Sequence, residues 1–187
     1  NHAYNRGTAK YMAKGLSDYD VHWFEEPVVP EDREGYRDLC KLGILPIAGG
    51  ECEYTRYGFA KWFAIGALDI CQPDICCTGG LTEAKRIAEM AQAFHIQCIP
   101  HVWGSGIAIA AGLNLIASLS PSPYTAAPVP GINTSFLEWD CNPNPLRTEL
   151  LNNTIKPVNG FVSVPKGEGL GVHINEEAIK KYSTNSR

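Results

Sequence analysis

Five acidic or imidazole side chains, Glu25, Glu51, Asp74, His101 and Glu138, recur at matching places in this chain, each closing a short apolar or aromatic run. The runs are Val21-His22-Trp23-Phe24, Leu45 to Ala48, Leu68 to Cys71, Gln97 to Ile99 and Ser135 to Leu137. Glu25 and Glu51, at the ends of adjacent strands, would offer oxygen-only ligands, the set that suits Mg²⁺. Asp74 and His101 would form a dyad, because a carboxylate bonded to one imidazole nitrogen fixes the tautomer and raises the basicity of the other. Glu138 could act as a further acid, or as a hydrogen-bond donor to a developing oxyanion if its pKa is raised. Each of these residues also has a plain structural role open to it, such as capping the helix that follows. It is the ordered set that points to chemistry.

The elements that must carry these residues alternate. Helical patterns cover 6 to 17, with Ala9, Met12, Ala13 and Leu16 on one face, and then 31 to 42, 55 to 66, 81 to 94 and 106 to 119. Strand-like runs begin near 21, 45, 68, 97 and 135, in steps of 24, 23, 29 and 38 residues, which is the pace of βα units. Such alternation predicts an α/β fold with a parallel sheet, either a closed barrel or an open doubly wound sheet. A barrel is favoured, because its carboxyl-terminal strand ends converge on one mouth where active sites sit. No glycine-rich phosphate turn follows the first strand. A Pro-rich loop is expected between the helix ending near Leu119 and the last strand.

After Glu138 the pattern changes. Prolines at 143, 145, 157 and 165 interrupt the chain, and Phe161-Val162-Ser163-Val164 alternates like a half-exposed strand. Residues 1–155 are therefore read as a partial barrel and 156–187 as a separate carboxyl-terminal segment, with a β portion over 156–175, a short helix near Glu176 to Tyr182 and a frayed tail from Ser183 to Arg187.

The chain has 187 residues, short of the roughly 250 of a complete (β/α)₈ barrel. A net charge of −4 with scattered basic residues argues against nucleic acid as a partner. The apolar stretch from Ile107 to Leu119 is broken by Gly and Asn and is too short for a membrane span, so a cytoplasmic protein is expected. Seven cysteines, without a C-x-x-C pair or zinc-like Cys/His spacing, are expected to be reduced and mostly buried. The adjacent Cys76 and Cys77 have no neighbouring Lys or Arg to lower a thiol pKa.

The succession Trp23-Phe24-Glu25-Glu26-Pro27, Gly49-Gly50-Glu51, Gln72-Pro73-Asp74 with Gly79-Gly80, and Pro100-His101-Val102-Trp103-Gly104 resembles the mandelate racemase subgroup of the enolase superfamily. Asn1-His2-Ala3-Tyr4, Phe24 to Glu31, Pro100 to Ile107 and Gly167 to Asn175 are similar to its acid-sugar cycloisomerases and dehydratases. The resemblance implies strands 4 to 8, the last five βα units, of a TIM-like (β/α)₇β barrel. It implies Mg²⁺ as cofactor with Glu25 and Glu51 as two of three metal carboxylates, Asp74 and His101 as the dyad, and Glu138 as the acid that meets the substrate carboxylate. Glu26 would have a supporting role. The implied reaction is removal of the proton α to the carboxylate of an acid sugar or lactone, through an enediolate, by an isomerase or lyase.

Asn1 matches the Asn of the family's Asp-x-Asn motif, whose Asp would precede this chain, as would the Lys-x-Lys base and most of a capping domain. Residues 156–182 resemble the segment that packs on that cap. The chain on its own is therefore expected to be inactive. Two other readings are open on the residues alone: a glycoside hydrolase using paired barrel carboxylates, and a non-catalytic partial barrel held by pairing of its exposed strand edges. Edge strands invite such pairing, and a homo-oligomer is expected.

Overall fold

The computed structural model describes residues 1–120, 126–127 and 134–184. Most of the expected Pro-rich loop and the last three residues of the expected frayed tail lie outside the described residues. The chain opens with α1 (Arg6–Leu16) and a 3₁₀ turn, and then alternates: β1 (Phe24–Glu25), α2 (Arg33–Cys40), β2 (Ile47–Gly49), α3 (Thr55–Ala64), β3 (Ile70–Cys71), α4 (Gly80–Ala93), β4 (Gln97–Cys98) and α5 (Gly106–Ser118). A short α6 (Pro145–Thr148) and a terminal α7 (Glu176–Tyr182) follow.

The four strands form one parallel sheet in chain order, with Phe24 opposite Ile47, Ala48 opposite Ile70, and Ile70 opposite Gln97. Backbone hydrogen bonds carry the ladder past the strand limits: Glu26 N–H reaches Ala48 O at 3.0 Å, Gln72 N–H reaches Gly49 O at 2.9 Å, and Ile99 N–H reaches Cys71 O at 3.1 Å. These extra bonds hold the residues just beyond each strand in register. The polar side chains at those positions therefore inherit the spacing of the sheet.

Alternation along the strands separates two apolar faces. Phe24, Ile47, Cys71 and Cys98 join the core under the helices, with Tyr36, Phe59, Trp62 and Ile87. Trp23, Ala48, Ile70 and Ile99 pack together on the other face, which in a barrel is the interior. Burying each aromatic side chain of the first group is worth about 1.5–3 kcal/mol. That core anchors the helices, and Tyr36 meets Trp62 edge to face at 4.8 Å.

Local signals set the helix starts. Asn5 caps α1 by accepting from Thr8 N–H at 2.9 Å, Asp32 caps α2 by accepting from Gly35 N–H at 3.1 Å, and Ser105 caps α5 by accepting from Ala108 N–H at 3.3 Å. Asp32 also takes a two-pronged contact from the Arg6 guanidinium, which ties α1 to α2. Helix α7 lies where the sequence places it, with Asn175 accepting from Glu177 and Ala178 N–H.

Three expectations need correction. The run from Ser135 to Leu137 enters no ladder among the described residues, so the described sheet has four strands rather than five. Its Leu137 instead packs beside Val102, Ile109 and Leu113 of the α5 region, and burial there positions the segment without a ladder. Phe161 to Val164 likewise forms no strand. Phe161 makes one isolated antiparallel bridge with Val158 and is exposed, while Leu151 bridges Ile174. Finally, the cysteines are not mostly buried: Cys71 and Cys98 are, but Cys52, Cys76, Cys77 and Cys141 are exposed and Cys40 lies between. All seven are free thiols, as expected.

Candidate metal and acid–base site

Each strand delivers its polar residue to the carboxyl end of the sheet. Glu25 ends β1, Glu51 comes two residues after β2, Asp74 three after β3 and His101 three after β4. Gly50 turns the chain toward Glu51 with φ of +117°, and a Cβ at this position would lie 2.7 Å from the Phe59 ring. Only glycine meets both conditions there without strain.

His101 is the hub. Its Nδ1 lies 2.7 Å from Asp74 Oδ2, and its Nε2 lies 3.5 Å from Glu51 Oε2 and 3.8 Å from Glu138 Oε2. Asp74 is 7% exposed, and its other oxygen accepts from the N–H groups of Cys76 at 2.7 Å and Cys77 at 3.2 Å. One carboxylate thus serves as both turn cap and imidazole anchor. Burial works against a charged His101, but its hydrogen bond to Asp74 and the negative charges of Glu138, Glu51 and Asp74 outweigh it and push the imidazole up to about 9.

Glu138 is held by Val102 N–H, which donates to its Oε2 at 2.9 Å. Burial raises its pKa, against the lowering effect of that hydrogen bond and of His101. Glu25 Oε2 accepts from Trp23 Nε1 at 2.9 Å and from Gln72 Nε2 at 2.7 Å, which fixes the carboxylate at the end of β1. Glu51 Oε1 accepts from Asn1 Nδ2 at 3.1 Å.

All five expected residues therefore lie at one end of the sheet. Direct contacts through His101 join Glu51, Asp74 and Glu138, while Glu25 is fixed separately by its own pair of donors. Glu25 and Glu51 present carboxylate oxygens from adjacent strand ends, a donor set that fits Mg²⁺. The residues that orient them, Trp23, Gln72 and Asn1, sit inside the motifs around the site. Their side-chain amide and indole N–H groups were the available signal for that role.

A cavity of about 720 Å³ lies at the opposite end of the sheet. It is lined by Val21, Pro46, Leu68 and Ile96, all of which precede strands. Its acid Asp69 accepts from Ile47 N–H at 2.9 Å, a bond that serves the sheet. This end of a barrel serves stability, whereas active sites sit at the carboxyl-terminal face. Cys76 and Cys77 flank the site, but burial and the Asp74 charge raise both thiols.

Residues 1–178 match the family described as enolase C-terminal domain-like. The chain belongs to that family. It is 38% identical over 182 residues to the D-galactarolactone cycloisomerase of Agrobacterium fabrum, a match that takes in 97% of this chain and 47% of that protein. The arabinonate dehydratase of Saccharolobus solfataricus is 30% identical over 186 residues, covering 100% of this chain and 46% of the relative. Among solved structures, the 3,6-anhydro-D-galactonate cycloisomerase of Zobellia galactanivorans superposes with a TM-score of 0.85 at 42% identity, over 97% of this chain and 48% of that one. The TIM-like α/β barrel expected from the strand spacing is the fold of this family. The chain spans about half the length of the relatives it matches. Among the described residues no helix is long and apolar enough to cross a membrane.

Proposed function

We propose that this chain supplies one side of the active site of an enzyme that removes the proton α to the carboxylate of an acid sugar or its lactone. Cycloisomerisation or dehydration is the outcome. The observation that supports the reading best is the seat of His101, with Nδ1 on Asp74 and Nε2 turned toward Glu51 and Glu138. An imidazole anchored on one side and open on the other is built to pass a proton at Nε2. Similarity to a lactone cycloisomerase and to a sugar-acid dehydratase supports the substrate class.

Glu25 and Glu51 would hold Mg²⁺, which when bound stabilises the negative charge that builds on the substrate carboxylate as the α-proton leaves. The chain's own residues would orient these groups and move a proton on one face. Asp74 keeps the ring of His101 in one orientation, and Trp23 and Gln72 keep Glu25 in place. Glu138, when protonated, would donate a hydrogen bond to a carboxylate oxygen. The α C–H electron pair becomes a C=C bond, the β C–O bond breaks with its electron pair leaving on oxygen, and His101 Nε2 would take the α-proton or deliver one to the departing oxygen. The base on the opposite face would come from the Lys-x-Lys segment that the resemblance implies. Family membership favours this reading over hydrolysis by paired carboxylates.

The test is made on the protein that joins this chain to the Asp-x-Asn and Lys-x-Lys segments of the family. Incubated in D₂O with Mg²⁺ and a panel of aldarates and their lactones, it should consume at least one substrate, and chelation should stop the reaction. His101→Asn should lose either turnover or deuterium incorporation at the α-carbon. Substrate consumption that is independent of both Mg²⁺ and His101 would overturn the proposal.

A further inference from the structure

Beside the carboxylate site lies a second group of donors that the proposed reaction does not use. His2 Nε2, one Glu26 carboxylate oxygen and Cys52 Sγ lie within 4.8 Å of one another. The sheet brings them together. His2 N–H donates to Glu26 O at 2.8 Å, which lays residue 2 beside the end of β1; Glu26 follows β1, and Cys52 follows β2 after the Gly50 turn. Both His2 and Glu26 have left-handed backbones, with φ of 53° and 44°. Non-glycine residues hold that conformation at a cost and only where the surroundings impose it.

Two details set this group apart from an ordinary ion pair. His2 Nε2 is 2.8 Å from Glu26 Oε2, yet it is buried and makes no aligned hydrogen bond there or with any other group among the described residues. Glu26 is also only 2% exposed, and a carboxylate that deep calls for a compensating positive charge. Asn1 Nδ2, a neutral partner, donates to its Oε2 at 2.7 Å, and His2 beside it supplies a positive charge only when protonated.

We propose that His2, Glu26 and Cys52 form a second metal site, selective for a borderline transition-metal ion of the Zn²⁺ type. One imidazole, one carboxylate and one thiolate make a three-ligand set with an open fourth position, whereas Mg²⁺ takes oxygen ligands. Ligand atoms around a tetrahedral zinc stand about 3.3–3.8 Å apart, given bond lengths of about 2.0–2.3 Å. The three donor atoms lie within 4.8 Å of one another, so binding would bring them to that spacing, and the exposed Cys52 opens the group to solvent. The two sites share a neighbour, because Asn1 Nδ2 donates to both Glu26 Oε2 and Glu51 Oε1. This inference rests on none of the catalytic roles proposed above.

The test uses Co²⁺ as a spectroscopic stand-in, titrated into the full chain with Mg²⁺ in excess to fill oxygen-only sites. A near-ultraviolet thiolate-to-cobalt band should grow to saturation at a single equivalent and should disappear when Zn²⁺ is added. Cys52→Ser should abolish the band, and His2→Gln should weaken Co²⁺ binding by more than about 10-fold, while Cys77→Ser should leave it unchanged. Circular dichroism checks that each variant keeps its helices. Absence of a band in the unaltered chain, its survival in Cys52→Ser, or its loss in Cys77→Ser would overturn the assignment.

Discussion

Neighbouring side chains in the site are not equivalent, and the difference is chemical rather than positional. Glu51 faces His101 and takes the Asn1 amide, whereas Cys77 contributes a backbone N–H to Asp74 while its thiol is exposed. In the protein that carries the complete barrel, Glu51→Gln should abolish Mg²⁺-dependent turnover of an aldarate or its lactone. Glutamine keeps the shape and one oxygen but removes the charge that a hard cation needs. Cys77→Ser should retain most of the activity, since the backbone donor remains. Rates measured against added Mg²⁺, with both variants shown to be folded, check the pair. Activity kept in the first variant and lost in the second would mean that the metal carboxylates are wrongly assigned.

At the level of elements, the site depends on helices that hold their strands in register, and the contact of α1 with α2 is one such tie. Asp32 caps α2 and receives the Arg6 guanidinium, which holds its carboxyl below the usual range. Asp32→Asn keeps a capping oxygen but loses the charge, and Asp32→Ala loses both, at a cost of about 1 kcal/mol for the cap. Because the folded-state pKa is lowered, the charge contribution is complete above the unfolded value near roughly 4 and is lost as pH falls through the folded value. Urea midpoints of the unaltered chain and Asp32→Asn should therefore differ at neutral pH and converge in acid. A gap that stays constant across that range would show that the charge does not contribute.

On the scale of the whole molecule, the four parallel strands among the described residues are part of a barrel, and the relatives that match are about twice as long. The 187-residue chain with Mg²⁺ alone should give no detectable turnover of acid sugars. Metal carboxylates and paired bases act as a unit, so losing members of the set lowers the rate far more than additively. Chromatographic detection of product from aldarates and their lactones checks this expectation. Turnover that follows purified chain through successive columns would place a complete site within these residues.

Sequence alone was sufficient for the order of elements and for the end of the sheet where the polar residues gather. A βα unit has a period, and a residue that closes a strand must emerge at the strand's carboxyl end. Helix α7 was legible for the same reason, since its pattern depends on residues a few places apart. The fate of Ser135 to Leu137 was not, because strand pairing requires a neighbour from elsewhere in the chain, and local β propensity cannot supply one. Nor could spacing show that Gln72 holds Glu25, that Asn1 joins Glu26 to Glu51, or that His2, Glu26 and Cys52 meet. Those contacts link residues up to 50 positions apart, and only the parallel register of the folded sheet brings them within reach.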